Sequence, residues 1–266
     1  MRLNRKPVSI KGIISLFFIL SMLLSIASIS YLIFRNWLSS SEQITKSISS
    51  DLADTIFNEI DSFIDVPIHI NDANQKIIES GILDLSDDNH RDKFFTGVLK
   101  SQDSMIYSFS YGTAAGEYYG ARRDENGVVQ IMRNNAQTGG NSWYYFVKDD
   151  LSAGELAVKA GPFDPRTRAW YQAAAKAGGP VFSPIYKHFI MDDLTISAAW
   201  PVYDKSGELR GVMGTHMLLS DISSFLVNNI NQYDGYALIV EQDSGDIIGN
   251  SIGKDNFTLL VDGTFD

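Results

Sequence analysis

Ile13 to Phe34 forms an unbroken run of 22 residues without Asp, Glu, Lys or Arg. At ~1.5 Å of rise per residue, a helix of that length reaches roughly 33 Å, enough for a hydrocarbon core of about 30 Å. Arg2, Arg5, Lys6 and Lys11 precede the run, and Arg35 alone follows closely. Positive charge is retained on the cytoplasmic side, so residues 1–12 are expected in the cytoplasm and everything after about Trp37 outside. A cleaved signal peptide is the competing reading, with an apolar stretch of about 7–15 residues ending at a small-x-small site. Ser25-Ile26-Ala27 would serve as that site. The apolar character nevertheless continues through Tyr31, Leu32, Ile33 and Phe34, which favours an anchor spanning 13–34 and a lipid partner.

Charge divides the same way. All 32 acidic residues and 17 of the 22 basic ones follow Arg35, which gives that part a net charge of −15. Such a surface repels nucleic acid, which excludes that class of partner. With no cysteine, disulfides and thiolate metal sites are excluded and the core depends on packing. Aromatic residues, 12% of the chain, supply large apolar surfaces for that core and rings for a pocket.

Ile44, Ile48, Leu52, Ile56, Ile60 and Ile64 recur at every fourth position, with polar residues between them. The spacing predicts an amphipathic helix from about Ser40 to Ile64, a stalk assigned to residues 38–66 and broken near Pro67. A second helix is expected over Arg91–Gln102. Short β-branched and aromatic runs come next, at Met105–Tyr111, Tyr118–Arg122 and Val128–Asn134. Asp124-Glu125-Asn126-Gly127 marks a hairpin, and similar punctuation recurs at Asp204–Gly207 and Asp243–Gly245. Strands are expected at Thr195–Tyr203, Leu209–Met217 and Tyr236–Glu241. Asp164 as cap, Pro165 in the first turn and Gly178-Gly179 at the end bound a helix from Pro165 to Ala177. Leu219–Ile230 reads as another amphipathic helix. The fold class is α+β, with a membrane helix continuing into the stalk and an antiparallel sheet domain behind it.

The stretch Phe163-Asp164-Pro165-Arg166-Thr167-Arg168-Ala169-Trp170-Tyr171 resembles the signature of double Cache (dCache) sensor domains, the extracytoplasmic ligand-binding modules of bacterial receptors. The likeness extends through Pro180–Tyr186, Thr195-Ile196-Ser197, Pro201-Val202-Tyr203, Gly207, Gly211-Val212 and Gly214. It implies two PAS-like units: a membrane-distal one over 67–230 that binds a small molecule, and a membrane-proximal one beginning at 231. The second would be incomplete at Asp266, so the chain reads as a fragment or a truncated product. The resemblance also implies a bacterial inner-membrane receptor, and stalk helices of this kind suggest a homodimer. An output module such as a chemotaxis rod, a histidine kinase or a diguanylate cyclase would lie beyond residue 266.

In relatives that bind amino acids, Arg168 and Trp170 match residues that hold the ligand carboxylate, and Tyr186 matches a further pocket residue. Tyr171 is taken as a ligand contact beside Trp170. Two positions that carry Asp in those relatives, and pair there with the ligand ammonium, fall at His188 and His216. The family's Tyr five residues before the Arg is Phe163. A buried ammonium needs a fixed anion, which histidine cannot provide. The resemblance with these departures therefore implies an anionic ligand, an organic carboxylate foremost, gripped by Arg168 and walled by Trp170.

Plainer readings stand beside these. Arg168 could pair with an acidic neighbour, and Trp170 and Tyr171 could be core. His188 and His216 could be hydrogen-bonded core histidines or part of a transition-metal site, though no third ligand is in view. No metal or cofactor is assigned. Signatures of hydrolases, zinc proteases and phosphate loops are missing, so the ectodomain is expected to be non-catalytic. An anchored binding or scaffold protein without signalling is the alternative to a receptor, and a periplasmic hydrolase the third possibility.

Overall fold

Pro67 does not end the first helix. The computed structural model describes residues 9–102, 104–230, 235–240, 245–258 and 260, and in it α1 runs from Ile10 to Glu79 with Pro67 inside. The break expected at the end of the 38–66 stalk is absent, and the physical reason lies in residues 70–78. A mid-helix proline costs ~3 kcal/mol or more, but the last turns of α1 are held by long-range contacts. Ile70 and Ile78 are buried. Asn71 Nδ2 donates to the Ala198 carbonyl at 2.9 Å, Gln75 Nε2 to the Pro201 carbonyl at 2.7 Å, and Trp200 Nε1 to Asp72 Oδ1 at 2.8 Å. Each buried aliphatic side chain contributes about 1.5–3 kcal/mol, enough together to offset the lost backbone bond.

The chain divides into two compact units, one ending at Glu59 and one beginning at Ile60. In the first, Ile10–Asn58 is the one helix among the described residues long and apolar enough to cross a membrane. The second unit holds the sheet. Its strands are β1 Ser108–Thr113, β2 Tyr118–Arg123, β3 Val129–Asn134, β4 Asn141–Val147, β5 Ala153–Pro162, β6 Val181–Phe182, β7 Tyr186–Lys187, β8 Leu194–Tyr203 and β9 Leu209–Leu218. They pair antiparallel in the order β5-β4-β3-β2-β1-β9-β8-β6, with β7 also on β8. Expected boundaries lie within a few residues of these for β1, β2, β3, β8 and β9. The sequence reading passed over β4 and β5.

Both faces of the sheet are covered, and the period of two sorts the side chains between them. Tyr119, Ala198 and Met213 belong to one apolar cluster, together with Ile70 of α1 and Phe95 and Leu99 of α2 (Asp88–Lys100). Their neighbours Tyr118, Ala199 and Val212 belong to the other, with Trp170 and Ala174 of α3 (Ala169–Ala177). Asp87 caps α2 by accepting from the amides of Asn89 and His90.

Two hairpins share one device. Asp124 Oδ1 accepts from the amides of Asn126 and Val128, each at 2.9 Å, and Asp204 Oδ1 does the same for Ser206 and Glu208. Helix α4, Leu219–Ile230, matches the sequence expectation residue for residue. Beyond it, β10 (Leu238–Val240) and β11 (Ile247–Asn250) form an antiparallel pair whose Gly249 lies against Ile222 and Leu226 of α4. Asp243-Ser244 and Glu241, from the third predicted turn and its strand, lie outside the described residues.

Candidate functional site

The predicted helix Pro165–Ala177 is interrupted at Arg168, and the interruption builds the site. Pro165–Thr167 forms a 3-10 turn capped by Asp164, whereas Arg168 has extended backbone, φ −87° and ψ 146°, as the N-cap of α3. In a continuous helix, residues two apart point to nearly opposite sides. The extended residue removes that constraint, and Arg168 and Trp170 line the same cavity on the α3 face of the sheet. The structure also brings Tyr186, His188 and His216 into its wall. Tyr171 is not there. One step of about 100° around α3 turns it from the cavity into the apolar packing, with its ring 5.7 Å from that of Trp170.

The cavity leaves about 30 Å³ open to the centre of a water molecule, and about 390 Å³ of empty space once its mouth is counted. Phe163 and Phe189 stand against each other in the wall, ring centroids 4.9 Å apart. Phe189 belongs to the connection between β7 and β8.

The two histidines hold different roles. His216 is buried on β9, and both of its ring nitrogens are engaged: Nε2 lies 2.7 Å from Ser110 Oγ and Nδ1 lies 2.7 Å from Ser197 Oγ. The Tyr186 hydroxyl completes this cluster, 2.8 Å from Ser197 Oγ. Register puts Ser197 opposite His216, but Ser110 opposite Gly214. The imidazole reaches Ser110 by lying over that glycine, where a Cβ would sit 2.8 Å from the ring and 3.2 Å from Trp170 Cε3. Burial, then His188 and Arg168, pull the His216 pKa down to about 3, so it is neutral at pH 7.

His188 accepts at Nδ1 from the amides of Ile190 (3.1 Å) and Met191 (2.9 Å). An imidazole nitrogen that accepts carries no proton, so the proton of the neutral ring is on Nε2. That N–H has no protein partner among the described residues. Burial, with help from Arg122 and Arg168, lowers the pKa of His188 to about 3 as well. Among the described residues, no group of three or more His, Asp or Glu side chains is placed to hold a metal ion.

The wall carries two guanidinium groups and, among the described residues, no carboxylate. Arg166, two residues from Arg168, is paired with Asp164 at 2.8 Å. Arg168 has no such partner. Among the described residues its guanidinium makes one hydrogen bond, a long one of 3.4 Å from Nη2 to the Lys187 carbonyl, and the rings of Phe163, Tyr186 and Phe189 surround it at 5.6–5.9 Å. The second guanidinium, Arg122 on β2, is buried over the ring of Tyr144 at 3.9 Å. Sequence reasoning missed it, along with Tyr107, Tyr118 and Tyr144, all of which line the cavity. Burial raises the pKa of each of these phenols, so they remain donors.

Residues 116–224 match the profile of the family described as methyl-accepting chemotaxis protein-like, first PDC sensor domain. Over this segment the chain is similar to that family of Cache-type sensor domains. In the solved structures, the chain is similar to the ligand-binding domain of the Campylobacter jejuni chemoreceptor Tlp3 in complex with 4-methylisoleucine. That match has a TM-score of 0.51 at 13% identity and covers 76% of this chain and 68% of the other. A second structure of the Tlp3 sensory domain gives a TM-score of 0.50 at 14% identity, covering 76% and 70%. At these identities the likeness concerns the fold. The sensor domain thus has the antiparallel sheet and flanking helices of a chemoreceptor module, preceded in sequence by an apolar helix of membrane-spanning length.

Proposed function

We propose that this chain is the sensory part of a membrane-anchored receptor whose Cache-type domain binds a small organic anion. One observation carries the reading: Arg168 faces a partly closed cavity with no carboxylate in its wall among the described residues. A charge in such a place is stabilised by an ion that enters from outside. A carboxylate meets the Arg168 fork bidentately, with Trp170 beside it and the unpartnered Nε2–H of His188 as a further donor. Neutral His188 and His216 offer no anion to an ammonium group, which disfavours α-amino acids held by their amine.

In this reading the N-terminus is cytoplasmic and the sensor domain is periplasmic. Residues 67–230 are the membrane-distal ligand-binding unit and 231–266 open a membrane-proximal one. The domain binds without turnover, and two copies pair through the helix N-terminal to it. Ligand binding displaces β9 against α1 and so biases one arrangement of the membrane helices over another.

The test is a thermal-shift and calorimetric screen of organic acids and L-amino acids against the full chain in nanodiscs, with Arg168→Ala in parallel. Stabilisation by an acid, abolished in Arg168→Ala, supports the reading. Stabilisation by several ordinary amino acids, or an anion affinity indifferent to Arg168, removes it.

A further inference from the structure

The second guanidinium in the cavity has no role yet. Arg122 is 3% exposed. Its Nε and Nη2 donate to Gln130 Oε1 at 3.2 and 2.9 Å, and its Nη1 to the Tyr107 hydroxyl at 3.2 Å. These partners are neutral, as is the Tyr144 ring beneath it. The carboxylate nearest in the hydrogen-bond chain is Asp124, which reaches Arg122 only through Gln130, whose Nε2 donates to Asp124 Oδ2 at 3.3 Å. Three of the five guanidinium N–H groups are therefore used, all on neutral atoms. A buried cation so placed costs several kcal/mol unless an anion meets it.

Among the described residues Arg122 and Arg168 share no hydrogen-bonding partner. Arg122 rises from β2 among Tyr107, Gln130 and Tyr144, while Arg168 enters from the N-cap of α3 among Phe163, Tyr186 and Phe189. Both line the cavity together with His188, whose pKa burial lowers first and both guanidinium groups lower further. Two cations, each in its own setting, with neutral donors and no acid around them, suit a ligand with a negative group at each end.

Building on the proposal of an organic anion, we infer that the site is selective for short dicarboxylates, one carboxylate held by Arg168 and the other by Arg122. The Nε2–H of His188 and the Tyr107 hydroxyl are available to the same ligand, and the restricted free volume keeps its carbon chain short. A single tetrahedral ion such as phosphate would satisfy one guanidinium and leave the other unmatched.

The experiment measures the affinity of the full chain in nanodiscs for malonate and succinate, for propionate and butyrate as singly charged counterparts, and for inorganic phosphate. Each is repeated with Arg122→Gln and Arg122→Lys. Malonate or succinate is expected to bind about tenfold or more tighter than its counterpart, and Arg122→Gln to remove that advantage while leaving the monocarboxylate within about twofold. Arg122→Lys, which keeps the charge, retains part of the preference. Equal affinity for the two classes, or phosphate competing as well as succinate, overturns the inference. So does an Arg122→Gln variant that weakens both classes alike and melts earlier, since Arg122 is then structural. If monocarboxylates bind through Arg168 without a dicarboxylate preference, this inference alone fails. If no carboxylate binds at all, the anion reading falls with it.

Discussion

Thr215 Oγ1 donates to Asn71 Oδ1 at 2.8 Å, joining β9 to α1 through two buried side chains. The next residue on β9 is His216, which faces the cavity on the opposite side of the sheet. Alternation along one strand thus places the cavity wall and the helix contact one peptide apart. Asn71 also donates to the Ala198 carbonyl, so both ends of its amide are committed to the sheet. Asn71→Ala is expected to destabilise the sensor domain by about 1–3 kcal/mol, because the buried Thr215 hydroxyl loses its acceptor and the Ala198 carbonyl one of its donors. Ligand affinity should hardly change. Chemical denaturation and calorimetry on the same samples check both parts, and a large loss of affinity at full stability would contradict them.

Gly214 sets how closely Trp170 and His216 approach. A methyl group there would meet the imidazole at 2.8 Å with Trp170 Cε3 close behind. Gly214→Ala should cost about 1–3 kcal/mol as an overpacked core does, and weaken ligand binding by tilting both rings. A melting temperature equal to that of the wild type would show that the rings yield freely.

Acid should destabilise the fold through its histidines. The pKa values of His188 and His216 lie near 3 in the folded protein, against 6.5 for the free side chain. Between those values the unfolded chain binds more protons than the folded one. The stability present above pH 6.5 is therefore lost as pH falls toward 3, by up to ~1.4 kcal/mol per pH unit for each ring. Asp221 acts in the opposite sense, since burial and then the neighbouring Asp193 push its pKa up to about 6 and protonation relieves it. His216→Gln isolates the imidazole contribution. Urea denaturation at pH 7 and pH 5 should show a smaller loss for the variant than for the wild type; equal losses would count against a neutral buried His216.

A negative charge introduced at His188 should change what the site accepts. His188→Asp replaces an N–H donor by a carboxylate beside Arg168 and Arg122. Anion affinity is expected to fall by about tenfold or more, as a like charge enters a partly dry site. Amines and amino acids should begin to stabilise the variant in a thermal-shift assay. Undiminished anion binding would place the ligand away from His188.

Patterns with a clear period were legible in the sequence. Helix α4 and strands β8 and β9 declare themselves by periodic apolar residues bounded by glycine turns. Strand β5 does not, because it is an edge strand, largely exposed, with Ala, Gly and Lys where a central strand carries β-branched residues. Strand β4 carries four consecutive aromatic residues, Trp143 to Phe146, and shows no polar-apolar alternation. The local rule that proline stops a helix was overridden at Pro67 by contacts made with residues more than 120 positions away. Arg168 and Trp170 carried the resemblance to a known sensor, and both line the cavity. Arg122 carried no signal: next to Arg123 it reads as one more solvent-facing cation. Only the fold reveals that the two alternate across β2, with Arg123 donating to the carbonyls of Leu99, Gln102 and Ile106.

The narrowness of the cavity bears on timing. With about 30 Å³ open to a water centre, the walls are expected to part before a metabolite settles between them. Parting is a property of the protein alone, so capture is expected to reach a ceiling rate that extra ligand cannot raise. Stopped-flow traces should then level off with concentration instead of climbing without limit. A detector built this way averages over brief surges in its surroundings and answers only to supply that lasts.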